Sequence, residues 1–203
     1  MDFKLMISTI ISGVILVGLR TVQLIRSPYK TIRIISNDVN YSQIYVIFVL
    51  IYLYFIFADF VKRFNYAPTL IYAVFLLNFL LSSVFFYFMN VVQIKRSDIR
   101  PFIMTFAYSL MPSLIWFTIN TSLFLIFPPP RTSSILGTLF SIFFIIFSMG
   151  MLFWKIQLVY LSLRFATKAS FLSIAYAVIL YLCIFAPYSV LLYYAGIFRI
   201  PFI

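Results

Sequence analysis

Apolar and polar positions along this 203-residue chain fall into blocks. Residues 39–58, 64–94, 101–130, 132–154 and 169–198 contain no charged side chain and are filled mainly with Phe, Leu, Ile, Val and Tyr. Each block is at least as long as the roughly 20 residues a helix needs to cross a hydrocarbon layer about 30 Å thick. The runs are continuous, whereas a barrel strand alternates apolar and polar residues over about ten positions. The pattern predicts an all-α integral membrane helical bundle with five transmembrane helices, at 43–61, 66–89, 102–127, 135–156 and 172–195.

Ahead of the first span, residues 6–19 are apolar but interrupted by Ser8, Thr9, Ser12 and Gly13. On a helical wheel Phe3, Met6, Ile7, Ile10, Val14, Val17 and Ile25 gather opposite Lys4, Ser8, Ser12, Gln23 and Arg26, which predicts an interfacial amphipathic helix. A sixth span is the competing reading. Ser27 and Pro28 read as an N-cap followed by a first-turn proline, so a second short helix is expected there. The chain divides into an N-terminal interfacial part, 1–38, and a five-helix membrane domain, 39–203.

Composition agrees, since 65% hydrophobic and 9% charged residues leave too little polar surface to coat a soluble globule of this size. The net charge of +11 is spread among loops without a soluble domain, which does not point to nucleic acid. It does orient the chain, because basic loops tend to stay cytoplasmic. Lys4, Arg20, Arg26, Lys30, Arg33, Lys95, Arg96, Arg100, Lys155, Arg164 and Lys168 fall on one side; Lys62, Arg63, Arg131 and Arg199 fall on the other. The expectation is a cytoplasmic N-terminus and an exoplasmic C-terminus. Arg20, Arg26, Lys30 and Arg33 form a basic band suited to anionic lipid headgroups or to an acidic protein partner.

Catalytic groups are scarce: the chain has no His, no Glu, one Cys and four Asp. No metal-ligand spacing, paired carboxylates on one helix or phosphate loop is visible, so no cofactor and no enzyme activity is expected. Asp59 lies three and four positions before Lys62 and Arg63, as a local interfacial ion pair would. Lys155 after Trp154 reads as a snorkelling cation beside an indole anchor. Within the spans, Asn78, Asn120, Ser141 and Ser148 are candidate interhelical polar contacts, and Ser134, Gly137, Ser141 and Ser148 form a small-residue seam for a neighbouring helix or a second copy. Pro112 and Pro187 predict kinks, the first freeing the Tyr108 carbonyl, with Ser109 a candidate to satisfy it.

Residues 26–32 (Arg-Ser-Pro-Tyr-Lys-Thr-Ile), 106–112 (Phe-Ala-Tyr-Ser-Leu-Met-Pro) and 154–164 occur in an order that resembles the Yip domain family, the Ypt/Rab-interacting five-span membrane proteins. The most specific element is Tyr108, Ser109 and Pro112, similar to that family's tyrosine-small-x-x-proline pattern. The resemblance implies a five-span fold and a non-enzymatic scaffold or adaptor that organises membrane or protein partners through its cytoplasmic face. The Asp-Leu-Tyr-Gly-Pro motif of eukaryotic trafficking members is absent, so the likeness is to prokaryotic-type members, in the cell membrane, and does not extend to Rab binding. A small permease or channel using Asn78 and Asn120 is the alternative.

Overall fold

The computed structural model describes residues 3–38, 40–62, 65–94, 99–127 and 135–196, and the side chains of all these except 3–10 and 90–94. Eight helices follow one another among the described residues: α1 Phe3–Arg26, α2 Pro28–Ser36, α3 Ser42–Lys62, α4 Pro68–Ile94, α5 Ile99–Tyr108, α6 Met111–Ile126, α7 Ile135–Thr167 and α8 Phe171–Tyr194. No strand occurs among the described residues. Among the described residues, five helical stretches are long and apolar enough to cross a membrane: α3, α4 as far as Met89, α5 with α6, α7, and α8. The chain is a multi-pass, all-α membrane bundle. Arg63, Lys95, Arg96, Asp98, Arg131, Ser134 and Arg199 lie outside the described residues, as does the side chain of Lys4.

The third span departs most from a straight rod. The Ser109 N–H is shared between the Thr105 and Phe106 carbonyls at 3.2 and 3.1 Å, and the Leu110 N–H reaches Ala107 at 3.2 Å, so the helix tightens for one turn before α6 begins. Pro112 sits in the first turn of α6, where a missing N–H is tolerated. The expected kink is thus a break between two helices. Ser109 does not rescue the carbonyl freed by Pro112, because its hydroxyl donates to Phe106 O at 2.7 Å. By contrast, α8 continues as a helix through Pro187.

The fourth span is longer than its uncharged block suggests. α7 has 33 residues, which at 1.5 Å each is about 50 Å, well beyond a 30 Å hydrocarbon layer. It ends where Lys168 takes a left-handed backbone, φ 54°. Arg164 Nη1 donates to Ala169 O across that turn at 2.6 Å, and Ser170 Oγ accepts the Ser173 N–H at 3.4 Å to start α8. At the other end of α8, Gly196 closes the helix at φ +73°, a conformation L side chains rarely adopt.

Burial is uneven. In the most apolar stretch of the third span 67% of residues are buried, and in that of α7 none are. The core gathers around α5, whose Phe102 and Phe106 rings stack at 5.1 Å between Phe86 and Phe79 of α4. Tyr181 of α8 joins this aromatic column against Phe86 at 4.8 Å. Such pairs add about 0.5–1.5 kcal/mol each beyond their area burial.

Candidate functional site

A polar cluster lies where α1, the α2–α3 turn, α3 and α5 meet. Arg20 is 8% exposed, and Gln43 and Tyr108 are fully buried. One Arg20 nitrogen, Nη2, pairs with Asp38 Oδ2 at 2.6 Å, and the other, Nη1, donates to Gln43 Oε1. Tyr108 OH donates to the same Gln43 oxygen at 2.6 Å. The Gln43 amide nitrogen donates to Asp38 Oδ2 and to Asn40 O, both at 3.1 Å. Gln43 thereby uses two acceptor sites and two protons, its full capacity.

Asp38 is the anion of the cluster, its side chain 24% exposed. Burial pushes its carboxyl pKa up, but the Asn40 backbone N–H, the Arg20 and Gln43 hydrogen bonds and the Arg20 charge outweigh that, so it lies below the ordinary 3.8. The carboxylate stays ionised at neutral pH and balances the guanidinium.

This arrangement corrects the place given to Arg20. The sequence puts it in the exposed basic band, yet the structure turns it inward. A lone guanidinium within an apolar helix is costly unless paired, and one of the chain's four Asp residues reaches it across the α2 loop. Asp38 and Gln43 carry no local spacing signal that relates them to Arg20. The available clue was a single Arg inside an otherwise apolar run.

Arg26, Lys30 and Arg33 are exposed as expected. α2 buries Thr31, Ile32 and Ile35 and docks on α7 through Tyr29, whose ring meets Phe165 edge-on at 4.9 Å. That contact brings the α2 charges to the end of α7, where Arg164 and Lys168 are also exposed. Ile25 and Ile34 emerge on the same surface at 62% and 48% exposure, mixing cations with apolar groups. Ser27 precedes α2 without a side-chain cap; its hydroxyl turns back to Gln23 O at 3.4 Å.

Two of the four expected interhelical polar residues bridge helices. Asn78 Oδ1 accepts from Tyr188 OH at 3.0 Å, joining α4 to α8, and Ser148 Oγ accepts from the Trp116 indole at 2.8 Å, joining α7 to α6. Ser141 instead donates to Gly137 O within its own helix at 2.9 Å, and Asn120 lies half-buried in α6. Two further bridges involve polar residues of the spans: Ser82 with Tyr181 at 2.8 Å, and Ser162 Oγ to Thr105 O at 3.0 Å. Because Ser82 also donates to Asn78 O at 2.8 Å, Tyr181 is the donor in its pair.

Asn78, Ser82, Tyr181 and Tyr188 border a cleft beside the α5–α6 break, with about 30 Å³ in which water-sized atoms fit. That is room for about two waters. Its walls are otherwise aromatic, including Phe75, Phe79 and Phe106. Among the described residues no group of three His, Cys, Asp or Glu could hold a metal ion.

Compared with protein-family models, curated proteins and solved structures, the chain matches none.

Proposed function

We propose that the protein is a non-enzymatic membrane scaffold of the Yip type, which holds anionic lipid headgroups and presents a docking face for a partner at its basic, cytoplasmic end. The observation that carries this reading is the surface formed by Arg26, Lys30, Arg33, Arg164 and Lys168 around the amphipathic α2. Among the described residues the carboxylates are Asp38, taken by Arg20, and Asp59 near the far end of α3, so no described carboxylate is left to offset those five cations. Each such cation near an anionic leaflet contributes about 1 kcal/mol of attraction.

Reconstitution into nanodiscs of phosphatidylcholine with and without phosphatidylglycerol tests this reading. Anionic lipid is expected to raise the thermal midpoint of the wild type, and the Arg26→Gln, Lys30→Gln, Arg33→Gln triple variant is expected to lose most of that gain. Equal midpoints in both lipids for the wild type would remove the headgroup role.

A further inference from the structure

We infer that the cleft between α4 and α8 is a water-binding site inside the bilayer, holding a pair of waters against Asn78 and the hydroxyls of Ser82, Tyr181 and Tyr188. Size and polarity carry the argument together. The free volume is about 30 Å³, and one water needs roughly 10–15 Å³ of such space together with two to four polar partners.

The hydrogen bonds in the wall define what an occupant must offer. Each hydroxyl spends its proton on a neighbour: Tyr188 on Asn78 Oδ1 at 3.0 Å, Tyr181 on Ser82 Oγ at 2.8 Å, and Ser82 on Asn78 O at 2.8 Å. The Tyr181 and Tyr188 oxygens keep lone pairs, and the Asn78 amide group carries two protons that none of these bonds uses. The occupant must therefore donate to hydroxyl oxygens and accept from an amide. Water does both within the available size, whereas an acyl chain does neither. The waters thereby join the Asn78–Tyr188 and Ser82–Tyr181 bridges into one network across the α4–α8 contact.

Depth makes the site consequential. Asn78 lies ten residues beyond Pro68, where α4 starts, which is about 15 Å along the helix and near the middle of a hydrocarbon layer about 30 Å thick. An amide and three hydroxyls at that depth gain from a polar partner because lipid supplies none. The other walls include the rings of Phe75, Phe79 and Phe185, which confine the occupant to the polar side. Phe106 and Leu110 close the cleft at the α5–α6 break, so the waters sit where α4, α8 and the interrupted third span come together.

The test uses the full chain in phosphatidylcholine nanodiscs, equilibrated in water carrying a heavy oxygen isotope and exposed to a brief X-ray pulse. Radiolysis converts a bound water into a hydroxyl radical that oxidises the ring beside it, and mass spectrometry locates the heavy oxygen. Tyr181, Tyr188 and Phe79 are expected to be labelled several-fold faster than Phe143, which is 66% exposed on the lipid-facing part of α7 and, eight residues into that helix, lies at similar depth. In Asn78→Leu, labelling of those three rings is expected to fall to the Phe143 rate, while that of Tyr29 on the exposed face of α2 stays unchanged and reports a retained fold. Wild-type labelling of Tyr181, Tyr188 and Phe79 no faster than that of Phe143 would overturn the site, whether or not the variant folds. Undiminished labelling in a folded Asn78→Leu protein would overturn the part assigned to Asn78.

Discussion

From Ile135 to Trp154, α7 leaves Ile135, Leu136, Leu139, Phe143, Ile146 and Phe153 more than 60% exposed, whereas from Leu158 to Leu163 it buries Leu158, Leu161, Ser162 and Leu163 against the rest of the chain. The first half touches α6 through one indole–hydroxyl bond and a few rings. The second half meets α2 and α5, next to the Arg20–Asp38–Gln43–Tyr108 cluster. One helix thus passes from surroundings supplied by lipid into surroundings supplied by protein. Specific side-chain pairing at the second end decides the arrangement of helices; at the first end, apolar character suffices.

The largest test of this contrast is Arg20→Ala. It leaves Asp38 and Gln43 without their main donor, and a cost of about 2–3 kcal/mol is expected, below that of a fully buried pair because Asp38 is partly exposed. Denaturant titration of the detergent-solubilised protein, followed by circular dichroism, reads the change. Acid sharpens the result. The folded Asp38 pKa lies below 3.8, so its stabilisation is complete well above that pH and fades as pH falls through the lower folded value. The variant's stability should therefore vary less with pH in that range than the wild type's.

Next in size is Gln43→Leu, which keeps the volume but strands the Tyr108 hydroxyl and one arm of Arg20. About 2 kcal/mol is expected from two unsatisfied groups, seen as an earlier unfolding midpoint and as faster backbone amide exchange in α1. Ser148→Ala at the lipid-facing end is expected to cost only about 0.6 kcal/mol, the average for an interhelical hydrogen bond in a bilayer. A Ser148→Ala loss equal to that of Arg20→Ala would erase the distinction between the two ends.

The lipid-facing end was also the more legible one in the sequence. Uncharged blocks located α3, α4, the α5–α6 pair and α8 within a few residues, since hydrocarbon selects for composition rather than for particular partners. The overrun of α7 was hidden because Lys155 and Arg164 end the uncharged block, yet charged residues are compatible with a helix that continues against protein and headgroups. Pro112 announced the α5–α6 break through its own chemistry. The Arg20 cluster could not be read, since its members come from three helices and a turn, and Gln43 looked like the polar start of a span. Asn78 and Ser148 were recognisable by type, but nothing local distinguished them from Ser141, which closes on its own helix.

The unbroken length of α7 has a mechanical corollary. A thicker or thinner bilayer must be accommodated by tilting or by local deformation of the lipid, and a rod clamped along its Leu158–Leu163 segment resists independent tilting there. Strain from thickness mismatch is therefore directed to the loosely held Ile135–Trp154 portion, and the cationic surface around α2 keeps its shape while the opposite rim adapts.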